Sequence, residues 1–149
     1  MEITDFLTPD RVVVNVRVRD KGQLLAEAAR LLGHAAPALA PKEIESALMA
    51  RETLGSTGLG GGFALPHARI EGLDHYRGLF LRLGRAIDFD AIDGKPVDLV
   101  FVLLIPVNST TPHVSALAAI SRRFRDAALV AKVRKADNET GIFSLLTAG

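Results

Sequence analysis

The sequence predicts an α/β sandwich built on a mixed sheet. Runs rich in β-branched or alternating apolar residues interleave with stretches of helical period, which is the pattern of strands and helices sharing one core. One run, VDLVFVLLI from 97 to 105, is apolar on both faces apart from Asp98, as suits a central strand covered on both sides. The chain has 149 residues, the length of one domain able to bury a real core, and shows no internal repeat, low-complexity tract or domain break, so residues 1–149 read as one unit.

Taken in order, Ile3 to Leu7 predicts a short helical turn ended by Thr8-Pro9, and the valines from 12 to 18 predict a strand. Asp20 suits the N-cap of a helix over about 21–32, with Leu24, Leu25, Ala28, Leu31 and Leu32 on one stripe and Gly33 as its stop. HAAPALA reads as a linker. Pro41 suits the first position of a second helix, with Ile44, Leu48 and Met49 on its buried side. Arg51 falls near that helix's C-terminal end, where a cation complements the dipole. A glycine-rich loop follows, then a short strand over 63–65 running into Pro66, a turn over 69–76 and an alternating strand over 76–83. After the central strand, ended by Pro106, comes a helix from His113 (HVSALAAISRRFRD) with Val114, Leu117, Ala118 and Ser121 on one side. Two shorter helices, about 127–135 and 138–146, close the chain.

Composition excludes several function classes. Eighteen basic and 17 acidic residues balance to +1, without the basic excess of a nucleic-acid binder. Cysteine is absent, which removes disulfides and thiolate chemistry and makes a cytoplasmic location the default. The start, MEITDFLTPD, does not read as a signal peptide. The longest apolar run, 99–105, is far short of the ~20 residues that cross a bilayer, so no membrane insertion is expected.

The stretch RETLGSTGLGGGFALPHARI, from 51 to 70, concentrates the residues capable of chemistry. Of the four histidines, His34 and His75 lie in a linker and a charged turn and carry little functional weight. His67 and His113 each stand where a strand end meets the next element, the place where open α/β sheets gather their sites. A neutral imidazole is a nucleophile near neutral pH, and its attack on a phosphoryl group makes a phosphohistidine. Phosphoryl transfer needs chiefly positioning and charge stabilisation. Arg51 offers a planar fork matched to phosphate, the amides from Gly58 to Gly62, Gly60 and Gly61 among them, can form an anion-holding concavity, and the helix start at His113 adds a favourable dipole. Ser56 and Thr57 serve better as hydrogen-bonding groups of the loop than as nucleophiles. No Gly-Lys-Ser/Thr follows the glycines, and their spacing is not G-x-G-x-x-G, so neither nucleotide fingerprint is present. A metal site from His67, His113 and Asp88 or Asp90 is conceivable, but the histidines lack a ligand-pair spacing; no metal or cofactor is expected.

The strings RETLGSTGLGGGFALPHARI, DGKPVDLVFVLLIP and PHVSALAAISRRFRD, in that order and spacing, resemble the enzyme IIA family of the fructose/mannitol type from the bacterial phosphoenolpyruvate-dependent phosphotransferase system. The resemblance runs over nearly the whole chain. It implies a mixed sheet of about five strands with helices on both faces in a single domain. It implies His67 as the phosphorylated residue, through Nε2, His113 as the supporting histidine and Arg51 as the active-site arginine; in a phosphoryl relay of this kind Ser56, Thr57 and the glycine amides are expected to line the pocket. The GSTG loop and ISRRFRD bring the chain nearer the nitrogen-related regulatory branch than a sugar-delivering component. That branch's upstream partner is a histidine-containing phosphocarrier protein, and its outputs are contacts with regulatory target proteins; in the sugar branch the phosphate passes to a permease IIB domain. Two departures are visible: Gly61 stands where some sugar-type relatives carry an acidic residue, and the segment 107–112 lacks the acidic residue often found after the strand-ending proline.

Overall fold

A computed structural model of the protein describes residues 1–35, 39–109 and 113–148. Among these residues six strands, β1 (Val12–Val16), β2 (Gly58–Gly60), β3 (Phe63–Ala64), β4 (His67–Ile70), β5 (Arg77–Ile87) and β6 (Val97–Pro106), form one mixed sheet in the order β1-β5-β6-β3-β2, with β4 also paired to β6. Among the described residues, five helices cover it: α1 (Lys21–Ala35), α2 (Pro41–Thr53), α3 (His113–Arg125), α4 (Ala127–Lys135) and α5 (Glu139–Thr147). The expected α/β architecture is present, with one strand more than the resemblance implied.

β6 is the axis of the fold. Every residue from Leu99 to Leu104 is fully buried, and their alternation divides the core in two. Val100, Val102 and Leu104 pack with Leu79 and Leu81 of β5 beneath Leu24, Leu25 and Leu32 of α1 and Ile44 and Leu48 of α2. Leu99, Phe101 and Leu103 face the other way, with Phe80, against Ile120 and Phe124 of α3, Val133 of α4 and Ile142 and Leu146 of α5. Period-two side chains on a strand apolar throughout dictate two covered faces. Phe124 anchors the second layer, stacking on Phe63 at 4.0 Å between centroids and on Phe80 at 5.7 Å.

Local signals account for most helix ends. Gln23 N donates to Asp20 Oδ1 at 2.8 Å at the start of α1, Pro41 opens α2, and Asp126 and Asn138 cap α4 and α5 with their side chains. Arg82 closes the far end of α4 by donating to the carbonyls of Val133 at 2.9 Å and Ala136 at 2.7 Å.

Four expectations change. α1 does not stop at Gly33 but continues to Ala35, taking His34 into the helix; a Cβ at Gly33 would stand 2.7 Å from Pro41 Cγ, so this glycine permits the close approach of α2. The turn expected over 69–76 begins later, because residues 67–70 form β4 alongside β6. β5 runs on to Ile87, beyond the expected strand. In α3 the buried residues are Ala116, Ala119, Ile120 and Phe124, whereas Val114 is 65% exposed and Ala118 is exposed, so the inward stripe is rotated from the one read in the sequence. Parts of the HAAPALA linker and of the polar segment 107–112 lie outside the described residues.

Candidate phosphoryl-accepting site

β3 and β4 are two parallel pieces of chain on the same edge of β6, separated by Leu65 and Pro66. Proline brings no N–H to a ladder, so the strand is interrupted there. The Pro66 carbonyl still accepts from Leu103 N at 3.0 Å, and β4 then resumes with His67 opposite Leu103. Directly after the interruption, His67 Nδ1 lies 2.9 Å from the Leu65 carbonyl. A carbonyl only accepts, so Nδ1 carries the proton and donates, and in the neutral ring Nε2 holds the lone pair. The tautomer of the candidate nucleophile is thereby set by the Leu-Pro-His geometry.

Alternation along β4 sends Ala68 and Ile70 into the core, 7% and 5% exposed, and leaves His67 and Arg69 on the other side. A cavity of about 510 Å³ lies here, lined by Arg51, Leu54, Ala47 and Ala50 from α2 and its exit, by His67, Ala68 and Arg69 from β4, and by Ile105. Arg51 Nη1 donates to the Gly55 carbonyl at 2.9 Å, so its guanidinium closes the end of α2 beside the cavity that the residue lines. The structure thus brings together His67 and Arg51, 16 positions apart in sequence. It adds Arg69, which falls within the turn expected over 69–76. Its signal was the polar-apolar alternation His-Ala-Arg-Ile. α3 opens at His113, whose side chain lies outside the described residues.

The loop between Arg51 and His67 is held by its own polar groups. Buried Glu52 accepts from Thr57 N at 2.8 Å and from Thr57 Oγ1 at 2.6 Å, and Lys21 Nζ stands 3.3 Å from the same carboxylate. Ser56 Oγ donates to the Phe89 carbonyl at 2.8 Å and accepts from Gly58 N at 3.0 Å. Ser56 and Thr57 therefore act on the loop, as their side chains suggested. Nothing in the sequence marks Glu52, where a carboxylate beside an arginine near a helix end looks solvated.

The glycines do not gather at the imidazole. Gly61 N donates to Asp93 Oδ2 at 3.0 Å, and the Gly61 carbonyl accepts from Arg134 Nη2 at 2.7 Å. Arg134 also grips both oxygens of Asp98, at 2.9 and 2.8 Å. A Cβ at Gly62, where φ is +80°, would fall 2.4 Å from Arg134 Nη2 and 2.8 Å from Asp98 Oδ1. The Gly62 carbonyl accepts from Asp98 N, while His67 pairs with Leu103, which separates the two by about 16 Å along β6 at ~3.3 Å per residue. Gly61 and Gly62 thus cradle an ion pair rather than the cavity of His67, Gly60 lies beside Asp93, and the Gly58 amide points to Ser56. Two charge shifts mark the cradle. The Asp98 carboxylate raises the Arg134 guanidinium above its usual value. The amides of Lys95 and then Gly61 hold Asp93 below the usual aspartate range.

Asp90, one of the conceivable metal ligands, lies 3.5 Å from Lys21 Nζ, and Asp88 Oδ1 accepts from Asp90 N at 3.0 Å. Among the described residues, no three His, Cys, Asp or Glu side chains gather to hold a metal ion. His75 is exposed, as expected of a charged turn. Among the described residues, no helix is long and apolar enough to cross a membrane.

An open mixed sheet covered by helices defines the fold, and comparison with known proteins shows the family. Residues 5–149 match the family described as phosphoenolpyruvate-dependent sugar phosphotransferase system, EIIA 2, and the chain belongs to that family. A nitrogen regulatory protein of Bradyrhizobium diazoefficiens is 40% identical over 150 residues, covering 98% of this chain and 95% of the relative. The crystal structure of nitrogen regulatory protein IIA-Ntr from Neisseria meningitidis superposes with a TM-score of 0.90 at 35% identity, over 97% of this chain and 99% of the other. Enzyme IIA for mannitol of Escherichia coli, solved in complex with phosphorylated enzyme IIB, gives a TM-score of 0.78 at 15% identity, over 96% and 98% of the two chains, a likeness of fold alone.

Proposed function

We propose that residues 1–149 act as one cytoplasmic phosphotransferase unit in which His67 accepts a phosphoryl group from a histidine-containing phosphocarrier protein, with a regulatory, nitrogen-related output through target proteins. The observation that carries this reading is the pairing of a tautomer-fixed imidazole with the Arg51 guanidinium in one cavity. The Nε2 lone pair attacks phosphorus; the new N–P bond forms as the donor's N–P bond breaks, and the donor imidazole leaves with the electron pair. The His67 ring then bears a proton on Nδ1 and the phosphoryl group on Nε2, and so a positive charge. The Leu65 carbonyl, 2.9 Å away, stabilises that form. Keeping the ring protonated keeps it a good leaving group, since it departs as neutral imidazole when the phosphate moves on. Arg51 neutralises the phosphoryl oxygens. His113, at the start of α3, supplies a second imidazole donor and a helix N-terminus.

A permease IIB domain is the alternative acceptor. The regulatory output is preferred because a relative of matching length and 40% identity carries that designation. The test is incubation with phosphoenolpyruvate and the general phosphotransferase proteins. The wild type acquires an acid-labile phosphate, and His67→Ala does not; retained label in that variant overturns the assignment.

A further inference from the structure

We infer that Glu52 is a positioning residue for His67, acting through Thr57 and Leu65 on the carbonyl that sets the imidazole; the inference rests on the phosphohistidine reading above. A continuous hydrogen-bonded path joins the two side chains. Glu52 accepts from Thr57 N at 2.8 Å and from Thr57 Oγ1 at 2.6 Å. The Thr57 carbonyl accepts from Leu65 N at 3.0 Å. The Leu65 carbonyl in turn accepts the proton of His67 Nδ1, 2.9 Å away. Both intermediate residues are buried, so each bond acts in a low dielectric. Lys21 Nζ, 3.3 Å from Glu52 Oε1, ties the start of the path to α1.

What travels along this path is position. The N–H and the C=O of one residue belong to different peptide planes, so a bond to one does not polarise the other directly. Two bonds from one carboxylate nevertheless fix Thr57 as a unit, and its carbonyl then holds the chain just ahead of Pro66. Pro66 has no N–H, so the Leu65–Pro66 peptide offers no donor and depends on the groups at its two ends. Leu65 N is held by Thr57, and the Pro66 carbonyl accepts from Leu103 N at 3.0 Å. The Leu65 carbonyl thus hangs between two anchors, one on β6 and one that leads back to Glu52. Glu52 directly follows Arg51 in α2, so a single helix end supplies both a residue of the cavity and the hold on the imidazole. Where catalysis is chiefly positioning, an imidazole released from its register loses rate steeply.

The experiment compares wild type, Glu52→Ala, Glu52→Gln, Thr57→Val, His67→Ala and Ile142→Ala, the last a cavity on the opposite face of the sheet, with urea unfolding of each to verify the fold. Phosphoramidate is the phosphoryl donor, so partner docking does not enter, and ring ¹⁵N NMR of neutral His67 reads its tautomer. Glu52→Ala is expected to slow labelling about tenfold and to mix the two tautomers, drawing the ring ¹⁵N shifts together. Thr57→Val, which keeps one of the two bonds to Glu52, moves both readouts the same way, by about threefold in rate. Glu52→Gln keeps most of both, because its amide accepts from Thr57 N and donates to Thr57 Oγ1. Ile142→Ala loses stability but keeps the wild-type rate and tautomer. A wild-type tautomer in Glu52→Ala and Thr57→Val overturns the inference; if Glu52→Ala does not fold, that result in Thr57→Val alone overturns it. Equal slowing of Ile142→Ala makes the effect one of stability, and Glu52→Gln as slow as Glu52→Ala makes it one of charge; either overturns the positional path. If the wild type takes no label, or His67→Ala keeps it, the phosphohistidine reading fails, while the tautomer still decides whether Glu52 sets the ring.

Discussion

Truncating Glu52 to alanine tests whether the buried carboxylate holds the loop that links Arg51 to His67. Its side chain is 2% exposed, and three donors converge on it: Thr57 N, Thr57 Oγ1 and Lys21 Nζ. The alanine variant strands two buried donors of Thr57, at about 1–3 kcal/mol for each group left unsatisfied. It also leaves Lys21, 18% exposed, without this partner. Breaking a buried pair from one side costs about 3–5 kcal/mol in all, and partial solvation of Lys21 favours the lower half of that range. For a chain of this length each kcal/mol moves the midpoint by about 3 °C, so a loss of roughly 10 °C is expected. Glu52→Gln keeps two of the hydrogen bonds in neutral form and is expected to lose about 1–2 kcal/mol. Urea unfolding of both variants, with Thr57→Val and the double variant Glu52→Ala/Thr57→Val, isolates the coupling. A Glu52→Ala variant within 1 kcal/mol of wild type, or a coupling near zero, refutes the claim that this carboxylate fastens the loop.

Gly62→Ala is expected to lose at least about 2 kcal/mol, combining a left-handed backbone with the collision on Arg134 and Asp98, whereas Gly61→Ala, with open space around its Cβ, loses only the backbone part of about 1–2 kcal/mol. Equal losses in urea unfolding contradict the cradle. Phe124→Ala removes a ring stacked between Phe63 and Phe80 and is expected to lose about 3–4 kcal/mol by the same measure. The Asp93 carboxyl, held low by the amides of Lys95 and Gly61, binds fewer protons folded than unfolded. Its contribution to stability is then complete above about pH 4, the usual aspartate value, and is lost as pH falls through the lowered folded value. A carboxyl ¹³C titration of Asp93 with its midpoint at or above about 4 runs against this.

Much of the architecture is legible along the chain because its causes are local. The doubly apolar run at 97–105, the caps Asp20, Asp126 and Asn138, and Pro41 at a helix start each act within a few residues. The same locality explains why His67 stands out: a proline interrupting a strand beside its own edge turns a carbonyl toward the next imidazole, and that is written in Leu-Pro-His. Where local signals misled, a distant neighbour was responsible. Gly33 resembles a helix stop until Pro41 is packed against it, and the inward face of α3 depends on which residues reach Phe63 and Phe80.

The sequence by itself determined the fold class, the order of elements and the nucleophile candidate. Tertiary structure alone decided the company each charge keeps. The glycine loop looked like an anion cradle because glycines free the backbone for any partner; only the folded chain brings Arg134, 73 residues away, onto Gly61 and Asp98. Likewise Glu52 becomes a buried acceptor, and Arg69 joins Arg51 at His67, through the packing of α2 against β4. Hydrophobic periodicity is a property of neighbours in the chain, whereas a charge finds its counterpart through space, after the sheet register is set.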